Sequence, residues 1–148
     1  MQQDPIQILL ADDNEDDRLF FKEAFEEIKI NTVVTMVNDG EELMNYLNQN
    51  SNQLPHILFL DLNMPRKSGM DCLVEIKQLP HLQNTAIAIY STSSSEKDIE
   101  ESFVQGANVY IKKPSDFNEL KKRLEEVITI NWQYQTSGLN RDNYLLSL

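Results

Sequence analysis

Acidic, hydroxyl and cationic side chains follow short apolar runs at four places in this sequence. Asp12 and Asp13 follow the first run, Asp61 follows a second, Ser91 follows a third, and Lys113 follows the last. Each apolar run has the length and composition of a buried β-strand. Ligands of open α/β sheets bind beyond the carboxyl ends of the strands. We therefore expect these side chains to line one pocket at an edge of a parallel sheet.

The residue types in this pocket point to a metal ion and to phosphoryl chemistry. Clustered carboxylates repel one another unless a cation compensates them. An all-oxygen donor set favours a hard ion such as Mg²⁺, with Mn²⁺ as a substitute. Asp61 could then act as a nucleophile that forms an aspartyl phosphate, with Lys113 and Ser91 contacting the phosphoryl oxygens.

The acidic run after the first strand has a simpler explanation as well. Acidic residues favour helix N-termini, so residues 12–15 could merely cap the helix that follows. Lys113 could be a solvated surface charge and Ser91 an ordinary loop hydroxyl. A binding site becomes the better interpretation because these residues, together with Asp61, follow four different strands.

The elements that position these residues alternate regularly. Each predicted strand is followed by a segment with helical spacing of apolar residues, which indicates a parallel sheet with right-handed helical crossovers on both faces. We predict a doubly wound α/β fold with a five-stranded parallel sheet in the order 2-1-3-4-5 and five helices. The strands are predicted at about 6–11, 33–37, 56–60, 86–90 and 108–112.

Local signals place several helix ends. Asp39 followed by Glu42 is a capping box at the start of the second helix. Ser95 and Asp98 frame the start of the fourth helix, and Gly106 is placed to end it.

Composition excludes several classes of protein. The net charge of -11 over 148 residues argues against nucleic acid or an anionic membrane as the direct partner. The longest apolar runs are too short to span a bilayer. Cys72 is the single cysteine, so an internal disulfide and a cysteine-based metal site are excluded. These features, and the lack of a secretory signal, favour a cytoplasmic location.

Five segments of the chain resemble the receiver domains of two-component response regulators. Their order and spacing match the family over residues 5–130. The segments are ILLADDNEDD, VNDGEELMNYL, ILFLDLNMPRKSGMDCLVEIK, AIAIYSTSS and GANVYIKKPSDF. The resemblance implies a flavodoxin-like, CheY-like receiver over residues 1–131. Residues 132–148 are left as a C-terminal extension.

The resemblance also implies a role for individual residues. Asp61 would be the phosphoacceptor. Asp13, Asp61 and the backbone carbonyl of Asn63 would bind Mg²⁺ directly, and Asp12 would bind it through water. Lys113 would pair with the phosphoryl group and precede a cis peptide bond to Pro114. On the switch side, Ser91 would sense the phosphoryl group, and Tyr110 would turn into the space that Ser91 leaves.

Three positions that vary within the family are expected to tune the lifetime of the phosphoryl group. Asn63 and Ser93 have no carboxylate that could act as a base for an attacking water, and Thr92 narrows the access of water to the phosphoryl group. We therefore predict slow-to-moderate self-dephosphorylation. Self-phosphorylation and self-dephosphorylation would be the only reactions that the chain catalyses.

The resemblance implies protein partners. The chain looks like a stand-alone receiver and is closest to the regulators paired with phytochrome-type histidine kinases. A sensor kinase or phosphotransfer protein would donate the phosphoryl group, and a downstream protein would read the switched state. The extension is more apolar than a solvated tail needs, which a homodimer interface or back-folding onto the domain would explain.

Three other functions are weaker alternatives. A phosphatase or phosphomutase with an aspartyl-phosphate intermediate would need a second Asp where Asn63 stands. A flavin-binding electron carrier would not place residues 12–17, an acidic run, against the flavin phosphate. A receiver-like scaffold with little phosphorylation is hard to reconcile with a full set of site residues.

Overall fold

The computed structural model describes residues 5–49, 53–133 and 145–146. Strands and helices alternate along the chain, as the sequence predicts. The strands are β1 (Ile6–Ala11), β2 (Thr32–Val37), β3 (Ile57–Leu60), β4 (Ala86–Ser91), β5 (Val109–Lys112) and β6 (Leu145–Leu146). The helices are α1 (Glu15–Glu27), α2 (Gly40–Gln49), α3 (Gly69–Lys77), α4 (Glu96–Val104) and α5 (Phe117–Gln133), and Pro80–Leu82 forms a short 3₁₀ turn.

The sheet has the predicted order, with one addition. Its strands run β2-β1-β3-β4-β5-β6, and all the pairings are parallel. The five long strands confirm the order 2-1-3-4-5. The sixth strand, which was not predicted, pairs Leu145 with Tyr110 and Leu146 with Ile111 at the outer edge of β5.

The predicted C-terminal extension is described only in part. Helix α5 continues past the predicted boundary at residue 131 to Gln133, and β6 is the other described segment of the extension. Residues 134–144 and 147–148 lie outside the described residues. The domain division and the interface role of the extension therefore stay predictions.

Two hydrophobic layers cover the sheet. Successive strand residues point to opposite faces, so Leu9, Leu58 and Ile87 belong to one layer, whereas Ile8, Phe59 and Ala88 belong to the other. Helices α2, α3 and α4 cover the first face, and α1 and α5 cover the second. Each fully buried Leu or Phe contributes about 1.5–3 kcal/mol relative to exposure. The central strands are consequently held rigidly beneath the pocket.

Side-chain caps begin several of the helices as the sequence predicts. The amide of Glu42 donates to Asp39, and its carboxylate accepts from the amide of Asn38, which confirms the capping signal. Ser95 caps α4 by accepting from the amide of Asp98. Caps of this kind contribute about 1 kcal/mol each.

Gly69 allows the loop after β3 to fold closely against the sheet. Its amide donates to the oxygen of Leu62 at 2.9 Å. A Cβ at this position would lie 2.0 Å from the backbone oxygen of Asp61. Only glycine fits here, and the start of α3 is thereby held against the residue that ends β3.

Candidate functional site

Two buried aspartates extend β1 and β3 at the carboxyl edge of the sheet. The amide of Asp12 donates to Val37, and the amide of Asp61 donates to Ala11 at 3.0 Å, so the strand pairing continues through both residues. In each carboxylate, Oδ1 accepts a hydrogen bond from the amide two residues on, Asn14 for Asp12 and Asn63 for Asp61. These Asx turns fix the orientation of both carboxylates.

Lys113 approaches the two aspartates from beyond β5. Its amide donates to the oxygen of Ser91 at 2.8 Å, which continues the pairing of β4 with β5. Its Nζ lies 2.8 Å from Oδ2 of Asp12 and 3.2 Å from Oδ2 of Asp61. The side chain is only 8% exposed, and the ring of Tyr90 lies beneath the ammonium, 5.2 Å from Nζ to the ring centroid. The ammonium is therefore held close to the carboxylates and largely away from water.

Burial and charge change the proton affinities of this pair. The pKa of Asp61 is raised from 3.8 to about 6, mainly by burial, and the charge of Asp12 raises it further, whereas Lys113 and the amide of Asn63 lower it. Burial lowers the pKa of Lys113, but its bonds to Asp12 and Asp17 and the charge of Asp61 outweigh burial, and the net pKa is raised. Lys113 is therefore charged at neutral pH.

Three carboxylates at this edge fit a divalent metal ion. One oxygen from each of Asp12, Asp13 and Asp61 can be chosen so that all three lie within 4.8 Å of one another. Asp12 and Asp61 are buried, whereas Asp13 is exposed and open to solvent. Oδ2 of Asp12 is buried, and its ion-pair partner is Nζ of Lys113 at 2.8 Å. One ammonium faces three carboxylates here, so a hard cation would further relieve the repulsion among them.

The hydroxyl predicted to sense the phosphoryl group lies at the end of β4. Ser91 is fully buried, and its Oγ accepts a hydrogen bond from the amide of Ser93 at 3.1 Å. Oγ of Ser93 in turn donates to Oδ2 of Asp98 at 2.6 Å. The side chain of Thr92 is exposed. Ser91 is thus joined to the first turn of α4 through the loop between them.

Tyr110 already lies inside the protein in this structure. Its side chain is fully buried, and its hydroxyl donates to the backbone oxygen of Ser93 at 2.8 Å. Burial raises the pKa of this hydroxyl, so it remains a donor at neutral pH. The Tyr110 side chain is consequently held inward by its hydrogen bond to the loop after β4.

The structure brings the predicted acidic residues and Lys113 together, and it connects the predicted switch residues Ser91 in β4 and Tyr110 in β5 through Ser93 in the loop after β4. Asn63 orients Asp61 through its amide, and its side chain is exposed.

The expected cis bond before Pro114 is absent: every peptide bond in residues 5–49 and 53–133 is trans. The trans isomer is favoured by about 0.5–1 kcal/mol before proline.

Sequence reasoning missed one residue of this site. Oδ2 of Asp17, in the first turn of α1, accepts a hydrogen bond from Nζ of Lys113 at 2.8 Å. The sequence predicts that the acidic run binds metal and caps the helix, and Asn14 is the cap, since its side chain accepts a hydrogen bond from the amide of Asp17. The sequence does carry a feature that could have predicted this contact: the helix that follows β1 begins at the same edge of the sheet as Lys113, so acidic residues in its first turn lie near the ammonium.

Comparison with known proteins identifies the family. A model of the response regulator receiver domain matches residues 8–125. The chain belongs to this family. Its members are not conventional enzymes, and their role is in two-component signalling.

Curated relatives match over most of their own length. The probable methanogenesis regulatory protein FilR2 of Methanothrix harundinacea is 30% identical over 84% of this chain and 83% of the relative. The response regulator Rcp1 of Synechocystis is 30% identical over 83% of this chain and 86% of the relative.

Solved structures support the same assignment. The phosphorylated cyanobacterial phytochrome response regulator RcpA is 31% identical, with a TM-score of 0.78 over 92% of this chain and 99% of that one. The Mn²⁺-bound form of Rcp1 is 29% identical, with a TM-score of 0.76 over the same shares. The predicted resemblance to phytochrome-associated regulators and the predicted CheY-like fold are confirmed. Together with the acidic cluster, the Mn²⁺-bound relative supports a divalent metal site in this receiver.

No helix in the described part of the chain is both long and apolar enough to cross a membrane.

Proposed function

We propose that this receiver stores a phosphoryl group on Asp61 and signals its presence to a protein partner. The observation that carries the proposal is the position of Asp61 at the end of β3, 3.2 Å from the ammonium of Lys113 and within one group with Asp12 and Asp13. A carboxylate oxygen of Asp61 forms a bond to phosphorus while the bond from phosphorus to the donor breaks. The electron pair of that bond leaves with the donor group.

Mg²⁺ is the metal that we assign to the acidic group. Asp13, Asp61 and the carbonyl of Asn63 would bind it directly, and Asp12 would bind it through water. Mg²⁺ supplies charge neutralisation for the phosphoryl oxygens. Mn²⁺, which the Rcp1 relative binds, would substitute for it.

Lys113 compensates negative charge at the same place. Its ammonium already lies between Asp12 and Asp61, so it can pair with a phosphoryl oxygen after only a small displacement. The Tyr90 ring beneath it leaves the ammonium little freedom to swing away.

The signal leaves the site through the loop between β4 and α4. Ser91 turns its hydroxyl from the loop towards the phosphoryl group, which breaks the hydrogen bond from the amide of Ser93. Because Tyr110 is bound to the oxygen of Ser93, the same movement changes the face formed by α4, β5 and α5. The partner binds one state of that face more tightly than the other.

The lifetime of the signal depends on the residues around the pocket entrance. Asn63, Thr92 and Ser93 present no carboxylate to activate a water, which supports slow-to-moderate self-dephosphorylation. Self-phosphorylation and self-dephosphorylation are the only reactions that we assign to the chain.

A phytochrome-type histidine kinase in the cytoplasm is the phosphodonor that we assign. The likeness to RcpA supports this choice.

The extension after residue 131 would supply a homodimer interface, which a molecular mass measured with and without phosphorylation would test.

Phosphotransfer tests the proposal directly. A phosphorylated kinase of this type is mixed with the wild-type chain, with Asp61→Asn and with Asp71→Asn, a matched control in α3. We expect transfer to the wild type and to Asp71→Asn only. Equal labelling of Asp61→Asn would place the phosphoryl group elsewhere, and no labelling of any variant would favour the scaffold alternative.

A further inference from the structure

The ammonium of Lys113 has a partner that belongs to neither the phosphoacceptor nor the acidic metal group. Nζ donates to Oδ2 of Asp17 at 2.8 Å, which is shorter than its 3.2 Å hydrogen bond to Asp61. The metal group comprises Asp12, Asp13 and Asp61 and does not include Asp17. The contact is long-range in sequence, because the two residues are 96 positions apart in the chain.

Backbone and side-chain contacts hold both ends of this pair. Asp17 lies in the first turn of α1, where its amide donates to the Asn14 cap at 2.9 Å. Lys113 is held through its own amide by Ser91 and rests on the ring of Tyr90. The bond therefore joins two backbone segments that are each held by hydrogen bonds of their own.

The other two carboxylates change their roles when the site is in use. A bound metal ion would neutralise the negative charge of Asp12, and phosphorylation would convert the free carboxylate of Asp61 into an acyl phosphate. Asp17 alone among the three would keep its negative charge available to the ammonium. An ammonium has three N–H donors, so one can stay on Asp17 while the others turn to a phosphoryl oxygen.

An ordinary surface ion pair is the simpler interpretation of this contact. The side chain of Asp17 is 35% exposed, and exposed pairs contribute little to stability. Lys113, however, is only 8% exposed and already faces the phosphoacceptor. A contact that fixes the direction of a functional ammonium can affect phosphoryl uptake even if it adds little to stability.

We propose that Asp17 is a positioning residue, which holds the ammonium of Lys113 towards the Asp61 carboxylate so that it meets the incoming phosphoryl group. Asp17 itself touches neither phosphorus nor the donor. This inference rests on phosphoryl acceptance at Asp61 and adds a residue to which no role had been assigned.

The test measures the rate at which purified full-length chain takes up phosphoryl groups from acetyl phosphate with Mg²⁺, followed by intact-protein mass. The variants are Asp17→Ala, Asp17→Glu and Asp16→Ala, an exposed neighbour that removes the same charge from the same helix turn. We expect Asp17→Ala to be roughly tenfold slower, since tenfold corresponds to the loss of about 1.4 kcal/mol from one charge-assisted hydrogen bond. Asp17→Glu should recover part of the rate, and Asp16→Ala should stay within about twofold of the wild type.

A double-mutant cycle with Lys113→Ala separates positioning from a general structural effect. If Asp17 acts through Lys113, Asp17→Ala changes nothing further in the Lys113→Ala background. Circular dichroism confirms that each variant is folded. An equal effect of Asp17→Ala in both backgrounds, or a wild-type rate for Asp17→Ala, would overturn the inference while leaving the proposed function intact. A wild-type chain that takes up no phosphoryl group would instead overturn the proposed function, and the inference with it.

Discussion

Tyr110 and Ser93 join β5 to the loop that follows β4. The hydroxyl of Tyr110 donates to the backbone oxygen of Ser93 at 2.8 Å, and the amide of Ser93 donates to Oγ of Ser91. A single residue of the loop is therefore bonded to the hydroxyls of both Ser91 and Tyr110. A displacement of Ser91 that moves Ser93 would change the hydrogen bond from Tyr110 as well.

Removing the Tyr110 hydroxyl should loosen this loop without disturbing the pocket. We expect Tyr110→Phe to lose about 1 kcal/mol of unfolding free energy, the value of one hydrogen bond. Amide hydrogen exchange in the loop should be faster than in the wild type. Ser94→Ala, an exposed position in the same loop, serves as the control and should show neither effect. Unchanged exchange in Tyr110→Phe would mean that the bond does not restrain the loop.

The pKa of Asp61 predicts how pH affects the metal-free protein. The folded-state pKa is about 6, whereas an unfolded aspartate titrates at about 3.9. The folded state therefore binds the proton more tightly, so this group's contribution to stability is present at low pH and is lost as pH rises through about 4–6.

Asp61→Asn should remove the loss of stability that accompanies ionisation of the Asp61 carboxyl. In urea unfolding with a chelator present, the variant should gain up to about 2–3 kcal/mol over the wild type at pH about 7.5, and much less at pH about 4. Asp16→Asn, at an exposed position, controls for the change in net charge. A gain that does not depend on pH would show that the ionised carboxylate is not the cause.

Lys113 should be essential for the stability of the metal-free site. Lys113→Ala leaves Asp12 and Asp61 buried without their common cation, and breaking a buried pair costs about 3–5 kcal/mol. Lys112→Ala, at an exposed neighbouring position, should cost about 0–1 kcal/mol. Urea unfolding free energies measure both losses. Adding Mg²⁺ should reduce the loss in Lys113→Ala, because a second cation then compensates the carboxylates.

Mg²⁺ itself should raise the melting temperature of the wild type. At about 100 times the dissociation constant, linkage predicts about 2.7 kcal/mol of stabilisation. Asp13→Asn removes the one exposed carboxylate of the metal group and should reduce the shift. Asp16→Asn should retain it. A wild-type melting curve that is the same with Mg²⁺ and with chelator would contradict the metal assignment.

Gly69 should tolerate no side chain. Gly69→Ala places a Cβ 2.0 Å from the oxygen of Asp61, and the backbone must move at a cost of about 1–3 kcal/mol. Gly106→Asn is the comparison variant, because the φ of +99° strains a side chain there, but the nearest atom that its Cβ would meet is in the flexible Lys77 side chain and not in the backbone of Asp61. Unfolding free energies compare the two. Phosphoryl uptake should fall in Gly69→Ala alone, since only that change displaces the backbone of Asp61.

Much of the fold follows from local signals in the sequence. The apolar runs predict the five long strands within about one residue, and Ser95 and Gly106 mark the two ends of α4 because each satisfies a backbone requirement on its own. The strand β6 was not predicted. Two leucines in a tail carry no alternation, and they form a strand only because the edge of β5 lies within reach.

The order of strands and helices along the chain is enough to predict that Asp12, Asp13, Asp61 and Lys113 meet, because parallel strands carry their carboxyl ends to one edge of the sheet. The packed fold is needed to show that Asp17 shares the Lys113 ammonium and that Tyr110 lies inward on Ser93. A strand direction can be deduced from local pattern. The contact of a lysine with a helix 96 residues earlier depends on how α1 packs against α5 and the sheet, and that packing is a property of the whole core.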